Sequence, residues 1–141
     1  MSSTASDPAS AQTIVLIHGM WMTPLSWEHW SSRYSDRGHR VLAPAWPGLE
    51  AEPEELRRDP SPLRNLSIRD VVDHYDKIIR GLDRPPIIIG HSFGGLFTQL
   101  LLDRGLGAAG VTWALGHRKA SCGCRFPRFG PRGRPCATLR I

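Results

Sequence analysis

The 141-residue chain carries 18 Lys and Arg against 13 Asp and Glu, a formal charge of +5, and its length suits one domain that buries about 68–70% of the surface its unfolded chain exposes. The charge is unevenly placed: residues 1–116 hold 11 basic and 13 acidic side chains, and the other seven basic ones lie in an acid-free tail, at Arg118, Lys119, Arg125, Arg128, Arg132, Arg134 and Arg140. The body is therefore slightly acidic, and the global charge does not argue for nucleic acid as a partner.

Cys122, Cys124 and Cys136 fall in the same tail, so the first 121 residues offer neither a disulfide framework nor a thiolate metal site. A reduced, cytoplasmic setting is the expectation. Met1–Gln12 has no basic n-region and no apolar h-region, and no apolar run approaches the ~18 residues of a membrane helix, so no membrane association is expected. Residues 1–11 read as a disordered leader, too polar to offset the entropy of ordering.

Thr13–Ile17 is short, β-branched and continuously apolar, the pattern of a central strand covered on both faces. It ends at His18-Gly19. Trp27, Trp30 and Tyr34 recur at helical spacing behind Thr23-Pro24, which predicts a helix over about 24–37, capped by Thr23 and stopped by Gly38. Arg40–Pro44 reads as a second buried strand closed by Pro44 and Pro47. Residues 47–66 hold five acids and four prolines without periodicity, which predicts a long surface loop with a helical turn near Pro53–Arg57. From Ser67, a cap, Ile68, Val71, Val72, Tyr75, Ile78, Ile79 and Leu82 make an apolar stripe at i, i+3, i+4 spacing, the clearest helix in the chain. Ile87–Ile89 is again a buried strand, Leu96–Leu102 continues as a helix, and Gly110–Leu115 reads as a short last strand. Strands alternating with helices across short turns predict an α/β fold with a mostly parallel sheet and flanking helices.

The chemistry concentrates at Gly90-His91-Ser92-Phe93-Gly94, where a buried strand passes into a helix. In that context Gly-x-Ser-x-Gly forms a nucleophile elbow, a sharp turn that exposes the serine hydroxyl at the sheet's C-terminal edge and at a helix N-terminus. A side chain at either flanking glycine would collide with a neighbouring strand or helix. The bland alternative for Ser92 is a plain helix cap. His18-Gly19-Met20-Trp21 tips the balance, because acyl transfer needs two converging N–H donors. The residue after the nucleophile, Phe93, supplies one, and the loop after an upstream strand supplies the other, from Met20 or alternatively Trp21. His18 reads as a buried organiser of that loop rather than a base. His91 orients the elbow, with Gly19 and Gly95 as further supports. His29, His39, His74 and Asp103 read as solvated.

Together these two elements resemble the α/β-hydrolase superfamily over about residues 12–115, in its serine-nucleophile lipase, esterase and haloperoxidase-like branch. The resemblance implies the N-terminal part of an α/β-hydrolase fold, Ser92 as nucleophile, Met20 and Phe93 as the oxyanion hole, a small apolar ester-like substrate and no cofactor. Val41–Gly48 is similar to the family's stretch after the next strand, which makes Trp46 a candidate pocket wall beside Trp21. The family's order is Ser, then Asp or Glu, then His on later strands. Here Asp103 and His117 are the only such residues after Ser92, and neither matches, so the chain is expected to be inactive. Residues 116–141 read as a disordered or out-of-frame tail of a truncated or frameshifted hydrolase. Two further uses of the tail are set aside: an Arg-rich arm for nucleic acid, and zinc held by His117, Cys122, Cys124 and Cys136, whose spacing lacks the usual pairs. No metal is expected.

Overall fold

The computed structural model describes residues 11–114; the expectations for a leader up to Ser10 and for the tail from Gly116 lie outside them. Four strands, β1 (Thr13–Ile17), β2 (Arg40–Leu42), β3 (Ile87–His91) and β4 (Ala109–Trp113), form one parallel sheet in the order β2-β1-β3-β4. Ile14, Val15 and Leu16 of β1 stand opposite Ile87, Ile88 and Ile89 of β3. A 3-10 turn at Pro24–Trp27 leads into α1 (Glu28–Ser35); α2 (Pro53–Arg58), α3 (Ser61–Arg64), α4 (Ile68–Arg80) and α5 (Phe93–Asp103) follow.

The continuous apolar runs are explained by two cores, one on each face of the sheet. Val15, Ile17 and Ile88 pack with Val71, Tyr75, Ile79, Phe97 and Leu101 of α4 and α5. Ile14, Leu16 and Ile89 pack on the other face with Trp27, flanked by Trp30 and Tyr34. With side chains alternating between faces, a strand buried on both must be apolar at every position.

Helix α4 starts as its sequence predicts, and more completely. The Ser67 hydroxyl accepts from the Asp70 amide while the Asp70 carboxylate accepts from the Ser67 amide, a reciprocal capping box. Those bonds from Ser67 hold the exposed Asp70 carboxyl below the usual carboxylate range. The Tyr75 hydroxyl donates to the Pro44 carbonyl at 2.7 Å, and His74 Nε2 lies 3.2 Å from the Ala45 carbonyl, so α4 fastens the chain leaving β2. Arg104 of the turn after α5 bridges Asp73 and Asp76 of α4.

Four local expectations are corrected. Thr23 makes no side-chain cap; its carbonyl accepts from Ser26 instead. The segment 47–66 contains α3 as well as α2, each with Pro in its first turn. His39 and His74 are half-buried and hydrogen-bonded rather than solvated, His39 Nδ1 accepting from the Gln12 amide at 3.2 Å. Strand β2 is only three residues long, because Pro44 cannot donate to a ladder.

The packing separates two neighbours on α5. Leu101 is fully buried and Leu100 is 36% exposed. Leu101→Ala should cost about 2–5 kcal/mol of unfolding free energy in a urea titration, and Leu100→Ala within about 0.5 kcal/mol. Equal losses would mean that α5 does not bury this face.

Candidate active site

Chain order and sheet order together define where a site can form. The chain places β2 on one side of β1 and then crosses to place β3 on the other. Such a reversal leaves a crevice beyond the carboxyl ends of β1 and β3, where ligands bind in open α/β sheets. The two segments singled out by sequence, His18–Trp21 and His91–Phe93, occupy those two ends.

Ser92 sits between β3 and α5 with φ 54° and ψ −119°. A non-glycine residue there stores roughly 1–3 kcal/mol of backbone strain and persists only where the surroundings over-determine it. The surroundings are visible. The Ser92 amide donates to the Trp113 carbonyl at 3.0 Å, and its carbonyl accepts from the amides of Gly95 at 2.9 Å and Leu96 at 3.3 Å. A Cβ on Gly94 would stand 2.1 Å from the Ile17 carbonyl oxygen and 2.7 Å from that of His18. A Cβ on Gly90 would stand 2.1 Å from the Gly94 carbonyl oxygen and 2.4 Å from Thr98 Oγ1. Both positions are closed to any side chain because the obstacles are backbone. The hydroxyl of Ser92 makes no cap bond to α5, so the plain helix-cap reading does not hold.

The turn after β1 packs directly on this elbow. A Cβ on Gly19 would lie 3.2 Å from both the His91 carbonyl oxygen and Ser92 Cβ, tight enough to push the two loops apart. The Met22 amide donates to the Gly19 carbonyl at 3.3 Å, closing a turn with Met20 and Trp21 at its corner; Trp21 takes φ 65°. Neither the Met20 amide nor the Phe93 amide finds an acceptor among the described residues. Phe93 opens α5, where the first N–H groups have no intrahelical partner. Met20 and Phe93 both line an apolar cavity of about 350 Å³.

His18 is 1% exposed, and its ring stacks on Trp46 with centroids 5.1 Å apart. Nδ1 lies 2.9 Å from the Gly19 carbonyl; a carbonyl only accepts, so Nδ1 carries the proton and Nε2 is bare. Nε2 is buried with no partner among the described residues. Burial disfavours the imidazolium and lowers the pKa, with the Gly19 bond opposing it. His18 is thus a neutral strut under the turn. Trp46, expected as a possible pocket wall, is 2% exposed, packs between His18 and Phe97, and lines neither of the two cavities found beside the site. Its ring lies in the core between the sheet and α5. His91 is half-buried and meets the edge of Trp113 at 5.8 Å. Among the described residues no group of three His, Cys, Asp or Glu side chains could hold a metal ion, and no helix is long and apolar enough to cross a membrane.

Two supports escape a motif search. Thr98 is fully buried and its hydroxyl donates to the Gly94 carbonyl at 2.9 Å, and the Trp113 carbonyl anchors Ser92 from β4. Threonine at i+4 from an elbow glycine is a weak sequence signal, and a backbone carbonyl leaves none.

A family model described as the alpha/beta hydrolase family matches residues 14–139. Solved structures with the same fold include an extracellular alpha/beta-hydrolase from a Paenibacillus species, 27% identical, with a TM-score of 0.58 over 72% of this chain and 39% of that one. A thioesterase domain from the curacin biosynthetic pathway is 20% identical, with a TM-score of 0.58 over 82% of this chain and 43% of that one. Polyneuridine aldehyde esterase is 21% identical, with a TM-score of 0.55 over 73% and 40%. The matched chains are thus spanned over about two-fifths of their own length. No curated protein matches.

Two outcomes follow from the site. The folded chain binds a proton at His18 less readily than the unfolded chain, so stability should fall as pH drops below about 6.5, the unperturbed imidazole value. The thermal midpoint should be lower at pH 5.5 than at pH 7.5, and His18→Asn, though less stable overall, should flatten that dependence. An unchanged pH slope in the variant would place the titrating group elsewhere. Gly94→Ala should abolish cooperative thermal unfolding, since nothing flexible can yield to its Cβ; a variant that melts like the wild type would refute the close approach.

Proposed function

The chain belongs to the alpha/beta hydrolase family, and from that premise we propose that it carries the nucleophile side of a carboxylic-ester hydrolase, with Ser92 as nucleophile and the amides of Met20 and Phe93 as oxyanion donors. The observation that carries this reading is the backbone of Ser92, held at φ 54° at the end of β3 with its hydroxyl uncommitted.

In the proposed reaction the Ser92 hydroxyl oxygen attacks the ester carbonyl carbon and gives its proton to a base. The carbonyl oxygen becomes an oxyanion facing the two N–H groups; the intermediate collapses, the carbon–alkoxide bond breaks, and the alcohol leaves with that proton, after which water attacks the acyl-serine and releases the acid and free Ser92. Gly19, Gly90, His91, Gly94 and Gly95 hold the geometry, and His18 holds the turn. The substrate is a small ester with an apolar acyl group, matched to the apolar lining around Met20 and Phe93. The printed descriptions of an esterase and a thioesterase among structures of this fold are in keeping with acyl transfer.

A second reading, a binding or inactive chain, draws on one observation. Between Phe93 and Ala114 there is no histidine and one carboxylate, Asp103, on the exposed side of α5. His18 is buried and stacked on Trp46, so it offers Ser92 no proton acceptor. Without a base the serine is a weak nucleophile, although donors and binding alone can leave residual catalysis.

One experiment separates the readings. A fluorophosphonate should label the wild-type chain slowly and stoichiometrically, with the adduct on the Ser92 peptide by mass spectrometry, and should not label Ser92→Ala. Hydrolysis of 4-nitrophenyl butyrate should stay close to the buffer rate. Equal labelling of both chains would sink the nucleophile assignment.

A further inference from the structure

Three non-glycine residues among those described take a left-handed backbone: Trp21, Ser92 and Ala114, with φ 65°, 54° and 53°. Each follows the carboxyl end of a strand, and the last two are neighbours. His91 stands opposite Trp113 in the register of β3 and β4, so Ser92 and Ala114 leave the sheet side by side. Such conformations persist only where the surroundings over-determine them. For Ser92 the surroundings are the glycine contacts and the bond from its amide to the Trp113 carbonyl. The bond fixes Ser92 only if that carbonyl is itself fixed. Strand β4 is an edge strand, its outer side unpaired among the described residues, and the ends of such strands open first.

The Trp113 side chain supplies the missing constraint. Although 39% exposed, its indole makes three ring contacts, with Trp30 at 4.9 Å, with Trp27 at 5.8 Å and with His91 at 5.8 Å between centroids. Trp27 is buried with Ile14, Leu16 and Ile89, and Trp30 packs on that core, so the indole is tied to the α1 layer rather than to its own strand. His91 rests against it; its Nδ1 is buried with no partner among the described residues, so no bond at that nitrogen orients the ring. Val111, on the same face of β4 two residues earlier, belongs to neither core. With the indole docked, the direction of the Trp113 carbonyl is limited, since tryptophan has only two side-chain torsions to take up slack. We infer that Trp113 is a positioning residue for Ser92: its indole, held by Trp27 and Trp30, fixes the end of β4 so that the Trp113 carbonyl meets the Ser92 amide and the elbow keeps its left-handed backbone. Its use in acyl transfer rests on the nucleophile reading of Ser92; the positioning itself does not.

Amide hydrogen exchange, followed by NMR on the full chain, tests this. Trp113→Ala should speed exchange of the Ser92 amide about tenfold relative to that of Ile88, which opens with the sheet as a whole. A merely structural role would move both amides together and leave their ratio unchanged. Trp113→Phe, which keeps a ring in place, should bring the ratio back to within about threefold of the wild type. Val111→Ala should leave it within about twofold. Trp30→Ala should raise it about threefold with the sequence of β4 intact. An unchanged ratio in Trp113→Ala overturns the positioning, and where that variant does not fold an unchanged ratio in Trp30→Ala does the same; so does a rise as large in Val111→Ala. Fluorophosphonate labelling of the same samples keeps the two readings apart. Ser92 in Trp113→Ala should be labelled about tenfold more slowly than in the wild type, and an unchanged labelling rate beside a raised ratio overturns the role in the chemistry. A raised ratio in a chain whose wild type is not labelled overturns the nucleophile and leaves the positioning standing, whereas a labelled wild type with an unchanged ratio overturns the positioning alone.

Discussion

The structure depends on one backbone contact, the approach of Gly94 to the last carbonyls of β1. With the Ile17 oxygen 2.1 Å from where a Cβ would begin, the first turn of α5 rests on strand β1 itself rather than on side chains. That contact brings the end of β1 and the end of β3 to a common point although some seventy residues separate them in sequence. Gly90 repeats the device one turn earlier, against the carbonyl of Gly94. Between two such contacts Ser92 has no extended or helical conformation available that keeps both, and the strained one is what remains. The buried hydroxyl of Thr98 bonds back to the Gly94 carbonyl one turn earlier in α5.

Everything else holds the two strands at that distance. The sheet can carry the strain because it is buried on both faces, and burial at every position of β1 and β3 makes their register costly to slip. The ties from Tyr75 and His74 to Pro44 and Ala45 secure α4 against the chain after β2, and α4 in turn packs with α5. The ion pair of Arg104 with the exposed Asp73 adds little; with Asp76, which is more buried, it ties the turn after α5 to α4. His18 works at shorter range. A bare, neutral imidazole stacked on Trp46 props the Gly19 carbonyl from below, and Gly19 then has room to lie against Ser92.

What the sequence made legible follows from how local each signal is. The runs Thr13–Ile17 and Ile87–Ile89, the stripe and cap of α4, and the strand-turn-helix around Ser92 are each written in fewer than about fifteen neighbouring residues, and each is where the periodicity places it. The α/β fold with a mostly parallel sheet followed from their alternation, and the hydrolase fold from the resemblance carried by Gly90–Gly94 and His18–Trp21. Thr23 failed as a cap because a 3-10 turn begins there and spends its carbonyl on Ser26. Helix α3 was hidden because four residues with a proline carry no period. His39 and His74 were misjudged, and the packing of Trp46 was not decidable, for a shared reason: their partners, Gln12, Ala45 and His18, are 27 to 29 residues away in sequence, and only the folded sheet brings them together. The anchor of Ser92 on the Trp113 carbonyl was invisible for the same reason.

The distribution of chemistry along the sheet carries a last consequence. The ends of β1 and β3 supply a strained serine backbone, two amides without an acceptor among the described residues and an apolar cavity, all of which depend on position and on no titratable group. Among the described histidines, His18 is committed to Gly19 with its other nitrogen buried and without a partner, and His74 lies against the Ala45 carbonyl. Geometry and acid-base chemistry are therefore separable in this fold. The elbow needs Gly90, Gly94, Gly19 and Thr98, which surround Ser92 here, and the outer edge of β4 is unpaired among the described residues. The positioning of Ser92 is achieved by backbone contacts within β1, β3, β4 and α5, and it asks nothing of any titratable group.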